Sequence, residues 1–112
     1  MRSPITTHIL DTSSGQPAAG VPVRLDKMDS DWVTLAEGRT DEDGRVGDLL
    51  APGTLSPGVY RVHFDTSAYW ASRNCRGFYP YVEVVFEIEQ ADQHYHVPLL
   101  LNPFGYSTYR GS

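Results

Sequence analysis

Along most of this chain, hydrophobic residues recur at every second position in short runs. From Pro4 to Leu10, Ile5, Thr7 and Ile9 alternate with Thr6, His8 and Leu10, and Asp11-Thr12-Ser13-Ser14-Gly15-Gln16-Pro17 then breaks the run as a loop. Val21, Val23 and Leu25 share one face of a second run over 21–27, and a third is expected at 32–36. Asp41-Glu42-Asp43-Gly44 reads as a turn that delivers Arg45. Beyond the Pro and Gly pairs at 52–53 and 57–58, Tyr60, Val62 and Phe64 alternate with Arg61 and His63. The clearest alternation is 81–89, where Val82, Val84, Phe86 and Ile88 point inward against Glu83, Glu87 and Glu89. Short alternating segments with Gly and Pro punctuation predict an all-β sandwich or barrel. One short helix is expected over 67–73, with Asp65 or Thr66 as its N-cap.

The period-2 pattern also assigns faces to the polar residues. His8 is out of phase with Ile5 and Ile9, and His96 is out of phase with Val97 and Leu99, so both imidazoles are expected to point away from the core. In the run 93–101, Tyr95, Val97, Leu99 and Leu101 face one way, while His94, His96, Pro98 and Leu100 face the other. Two apolar residues on the histidine face call for a protein cover, which a subunit interface would supply. The plainer alternative is a pair of solvated surface histidines. Phe104 to Arg110 is expected to form a final aromatic strand that is not left loose.

At 112 residues the chain has the length of a single domain, 1–112. A domain this small hides only about two-thirds of its unfolded surface, so a deep pocket is hard to build within one copy. The formal net charge of −5 argues against nucleic acid or an anionic membrane as partner. No apolar run approaches the length of a membrane span, and Met1-Arg2-Ser3-Pro4 does not open a signal peptide. The single cysteine, Cys75, excludes an intrachain disulfide and fits a reduced cytoplasmic setting.

Several chemistries find little support. His94-x-His96 places two rings on one side of a strand, but no Cys pair, no His-Glu-x-x-His and no clustered carboxylates complete a metal site, so none is expected. The acidic turn at 41–44 lacks the ligand spacing of a calcium loop. Neither a Gly-x-Ser-x-Gly elbow nor a phosphate-binding glycine loop occurs. Taken alone, Arg45 reads as a loop arginine balancing Asp41, Glu42 and Asp43.

Longer stretches carry more information. The segments are Thr6-Thr7-His8-Ile9-Leu10-Asp11-Thr12 with Gly15-x-Pro17-Ala18, Asp43-Gly44-Arg45, Phe78-Tyr79-Pro80, Gln93-His94-Tyr95-His96-Val97-Pro98-Leu99-Leu100-Leu101, and Tyr106-Ser107-Thr108-Tyr109-Arg110-Gly111-Ser112. Together they resemble the 5-hydroxyisourate hydrolases, the transthyretin-related family of urate breakdown. The closing Tyr109-Arg110-Gly111-Ser112 is the most specific part, because it separates these enzymes from the hormone-carrying transthyretins of the same fold.

The resemblance implies a transthyretin-like sandwich of two four-stranded sheets with one short helix, assembled as a homotetramer, a dimer of dimers. It implies catalytic roles for His8, Arg45, His96 and Ser112, with Tyr109 and Arg110 shaping the substrate pocket. It implies hydrolysis of 5-hydroxyisourate by water attack on a ring carbonyl, without cofactor or metal. The competing reading is a non-catalytic carrier of a flat aromatic ligand. Departures from the family pattern at Ile9, Tyr81 and Asn102 touch none of the implied site residues.

Overall fold

A computed structural model describes residues 3–112 as two β-sheets packed face to face, with one helix. Met1 and Arg2, part of the segment read above for a signal peptide, lie outside the described residues. The strands are β1 (Ile5–Asp11), β2 (Gln16–Pro17), β3 (Pro22–Asp29), β4 (Asp31–Arg39), β5 (Arg45–Val46), β6 (Gly58–Phe64), β7 (Val82–Ile88), β8 (Tyr95–Asn102) and β9 (Gly105–Thr108), with helix α1 (Thr66–Ser72) between β6 and β7. One sheet has the order β4-β3-β6-β7. The other runs β2-β1-β8-β9, with β5 also pairing with β1. Because β2 meets β1 at Leu10 and Asp11 and β5 meets it at Thr7 and His8, the five strands of this sheet fill four rows.

Alternation decides which side chains enter the core. Ile5, Ile9, Leu99 and Leu101 from one sheet meet Val23, Leu25, Val62, Phe64 and Val82 from the other, all nearly solvent-free. At about 25 cal/mol per Å² of apolar area removed from water, this shared layer is the main favourable contribution to folding. On β7, Val82 and Ile88 are buried while Glu83, Val85 and Glu87 are exposed, as the pattern predicts.

The helix is capped as expected: the Asp65 carboxylate accepts from the Ala68 N–H at 3.2 Å. Its Tyr69 hydroxyl donates to Asp11 Oδ2 at 2.7 Å, tying α1 to the end of β1. Burial acts to raise the Asp11 pKa, but hydrogen bonds from Ser13, Tyr69 and Ser14 outweigh it and hold the carboxyl below its ordinary value. Burial and that carboxylate push Tyr69 up to about 12. Among the described residues, no helix is long and apolar enough to cross a membrane.

Two strands differ from expectation. The third run extends well past Ala36, because β4 pairs with β3 from Asp31 through Arg39. The last strand stops at Thr108 rather than Arg110. β9 pairs with β8 from Leu99 to Asn102, and the next hydrogen-bonded pair in that register would join Tyr109 to Pro98. Pro98 has no N–H to give, and its carbonyl is taken by the Thr108 hydroxyl at 2.7 Å. Pairing resumes only at His96 and Gly111, in the same register.

Candidate active site

Three elements bring the predicted polar residues to one face. β1 and β8 are parallel neighbours, with Thr6 beside His96 and His8 beside Pro98. On the other side of β1, β5 places Arg45 beside His8. Residues paired across a ladder share a face, so Thr6, His8, Arg45 and His96 all stand on the outer surface of this sheet. Both imidazoles point away from the core, as the pattern requires.

The turn before β5 is held by backbone chemistry. Asp41 Oδ1 accepts from the N–H groups of Asp43 and Arg45 at 2.9 and 3.0 Å. Gly44 has φ 74°, and a Cβ there would lie 2.5 Å from the Ile9 carbonyl oxygen, which requires glycine. The Asp41 carboxylate therefore serves the turn. The Arg45 side chain forms no ion pair among the described residues and is exposed, so its guanidinium is open to solvent or to a ligand on this face.

The C-terminal tail completes the face. The Gly111 N–H donates to the His96 carbonyl at 2.9 Å. A Cβ on Gly111 would fall 2.6 Å from His96 Cδ2 and 3.0 Å from Pro98 Cγ, so only glycine lets the tail lie flat against the imidazole. This contact is part of the cover that Pro98 was expected to need, and the same chain supplies it. Arg110 instead turns back along the sheet: its guanidinium donates to Gln93 Oε1 at 2.9 Å and lies 4.5 Å from the centre of the Tyr95 ring.

A cleft of about 210 Å³ results, lined by Thr6, Arg45, Val46, His94, His96 and Ser112 among others. His96 has its pKa lowered by burial, then by the positive charge of Arg45, with smaller effects from His8 and His94. The pKa of His8 is lowered by burial and Arg45, against a hydrogen bond to the Asp43 backbone and the charges of Asp41 and Asp43. Both rings are consequently biased towards the neutral form that accepts a proton. The cleft thus offers a neutral base beside an unpaired guanidinium, a pairing suited to activating water and holding a developing oxyanion.

Of the residues proposed from sequence, Arg45, His96 and Ser112 line this cleft, and His8 stands next to Arg45 on the same face. Tyr109 and Arg110 line a separate cavity of about 290 Å³ on the flank of the sandwich, which shares His96. Sequence reasoning did not single out Thr6, and it considered His94 only as a metal ligand. Thr6 Oγ1 lies 3.0 Å from His94 Nε2 and 2.8 Å from His96 Nδ1. Its phase with His8 on β1 was the available signal. No group of three or more His, Cys, Asp or Glu side chains arranged to hold a metal ion occurs among the described residues.

Such a sandwich, with imidazoles and a guanidinium on the outside of one sheet, defines a transthyretin-like protein with a hydrolytic type of surface. The model of the HIUase/Transthyretin family matches residues 5–111, and the chain belongs to that family. It is 50% identical over 113 residues to the 5-hydroxyisourate hydrolase of Mus musculus, covering 98% of this chain and 96% of that protein. Sea bream transthyretin in complex with thyroxine superposes with a TM-score of 0.92 at 36% identity, covering 97% of this chain and 95% of that one. The 5-hydroxyisourate hydrolase of Klebsiella pneumoniae gives 0.85 at 36% identity, covering 96% and 97%.

Proposed function

We infer that this chain is an enzyme of urate degradation that hydrolyses 5-hydroxyisourate to 2-oxo-4-hydroxy-4-carboxy-5-ureidoimidazoline. The observation that carries the reading is the seating of the 109–112 tail against His96, which puts Ser112 in one cleft with His96 and Arg45.

In the mechanism we assign, His96 is the general base, because it lines the cleft with Arg45 and Ser112 and its carbonyl holds the tail that brings Ser112 there. A water O–H bond breaks as its proton passes to His96, and the oxygen forms a bond to a ring carbonyl carbon. Arg45, always protonated, holds the oxyanion by forked hydrogen bonds. The oxyanion then collapses, the ring C–N bond breaks, and the leaving nitrogen takes the proton back from the imidazolium. General base action of this kind contributes roughly 10²–10⁴ in rate. His8 and Ser112 hold the substrate and the water in line, and Arg110 anchors the tail that carries Ser112. No metal or other cofactor enters these steps.

We assign a homotetramer, a dimer of dimers, from the resemblance to the family, and Leu100, only half-buried on the histidine face, supports a subunit interface there. Light scattering at micromolar concentration tests this, and a monomer overturns it. A cytoplasmic setting accords with the free thiol of Cys75.

The competing reading is a carrier of a flat aromatic ligand, since a shared fold does not fix activity and sea bream transthyretin of this fold is in complex with thyroxine. Freshly generated 5-hydroxyisourate mixed with the protein decides between them. Ultraviolet decay faster than buffer is expected, whereas saturable binding without acceleration would establish the carrier.

A further inference from the structure

The hydroxyl of Thr6 sits between two imidazoles, 2.8 Å from His96 Nδ1 and 3.0 Å from His94 Nε2. The two rings are nearly parallel, 17° apart in plane, with centroids separated by 6.4 Å. A hydroxyl has a single proton, so when it bonds to both rings it donates to one nitrogen and accepts from the other. The protonation patterns of the two rings are therefore linked through Thr6. If Thr6 donates to His96, then Nδ1 of His96 is bare and its Nε2 carries the proton. If Thr6 donates to His94, His96 carries its proton on Nδ1 and keeps a lone pair on Nε2.

The base role assigned to His96 requires a lone pair on the ring nitrogen that reaches the cleft, and the orientation of the ring then chooses the second arrangement. The Cδ2 edge of that ring, next to Nε2, faces the Gly111 tail inside the cleft, while Nδ1 faces β1. We propose that Thr6 and His94 are positioning residues: the Thr6 hydroxyl accepts from His96 Nδ1 and donates to His94 Nε2, which fixes His96 as the tautomer with a basic Nε2. This rests on the hydrolytic reading above and adds the device that orients its base. Among the described residues, the charged and titratable groups that act on His96 are Arg45 on β5, His8 on β1 and His94 before β8, and the Thr6 hydroxyl lies against Nδ1 itself.

The test reads ring nitrogen shifts by two-bond proton–nitrogen correlation, at a pH where His96 is neutral, alongside turnover of 5-hydroxyisourate. In the wild type, His96 should show a protonated Nδ1 and a bare Nε2. Thr6→Val keeps the β-branched shape on the strand and should move His96 to the Nε2-protonated form. Turnover should drop about ten- to hundredfold, the scale of one lost hydrogen bond to a charged group. Thr6→Ser should recover most of both readouts. His94→Phe should shift His96 in the same direction as Thr6→Val, because the hydroxyl proton is released towards Nδ1. An Nε2-protonated His96 in the wild type, or unchanged shifts in Thr6→Val, overturns the proposal. A wild type that does not accelerate decay sinks the hydrolytic reading instead, and the shifts still decide the tautomer.

Discussion

The two sheets share one core but present opposite kinds of surface to the outside. On the outer face of β4-β3-β6-β7, Asp26 is only 1% exposed, yet its oxygens are fully engaged. Arg61 binds it at 2.7 and 2.9 Å, Arg24 at 3.0 Å and the Thr34 hydroxyl at 3.0 Å. Glu83 draws in Arg24, Arg61 and His63, and Arg61 also lies 4.3 Å from the centre of the Trp32 ring. On the outer face of the other sheet, Arg45 has no ion pair among the described residues, and two histidines have lowered pKa values. Cavity size points the wrong way: a groove of about 670 Å³ lies beside the saturated network, and the histidine cleft is about 210 Å³. Charges that satisfy one another stabilise the fold. Those left unpaired beside a neutral base are available for chemistry.

Mutations on the two faces sharpen this contrast. The largest effect is expected for His96→Asn, which should assemble normally yet lose roughly 10³ in turnover, within the range for removing a general base. His63→Asn, on the saturated face, should stay within about twofold of wild type by the same assay, since distant sites act independently. Equal losses in the two would erase the distinction.

Arg45→Gln should lower turnover about a hundredfold, the scale of one lost oxyanion donor. It should also change the pH profile. With neutral imidazole as the active form in the proposed mechanism, burial and Arg45 together should keep the acid limb of kcat/KM below 6.5, the ordinary histidine value. Without the guanidinium the burial contribution remains, and the limb should move up towards that value. A limb that moves down or stays in place would remove Arg45 from the electrostatics of the site.

Gly111→Ala should cost about tenfold in turnover with little change in melting temperature, because the added methyl displaces the tail from His96 rather than entering the core. Unchanged kinetics would mean that the close approach has no role. The smallest effect on turnover is expected for Asp26→Asn, within about twofold. Its cost falls on stability, about 2–3 kcal/mol by denaturant unfolding, since two arginines lose their buried partner. Burial opposes the Asp26 charge, but bonds from Arg24, Arg61 and Thr34 outweigh it and depress the pKa. The stabilisation is therefore present above the ordinary carboxylate range and is lost as pH falls through the lowered value.

Much of this was legible because strands have an exact period of two. That parity put Val82 and Ile88 inward and His8 and His96 outward without reference to any partner strand. Parity does not identify neighbours, so the pairing of Thr6 with His96 and of His8 with Arg45 required the sheet order. The early end of β9 was readable in principle from Pro98, but only once the register with Thr108 was known. Tyr109 and Arg110 followed the family signature in sequence, while their lining of a flank cavity reflects a tail that loses its ladder at Pro98. The Thr6 hydroxyl is in phase with His8, but parity alone gives it no partner, and its contact with His96 emerges only from the pairing of β1 with β8.

The pairing of β1 with β8 has a further consequence for biosynthesis. Thr6 and His96 touch although 90 positions separate them. A nascent polypeptide emerging from the ribosome carries His8 long before His96 is made, and Gly111 comes later still. Fragments that stop short of β8 therefore lack this paired surface, which forms only once β1 and β8 have both been released and joined.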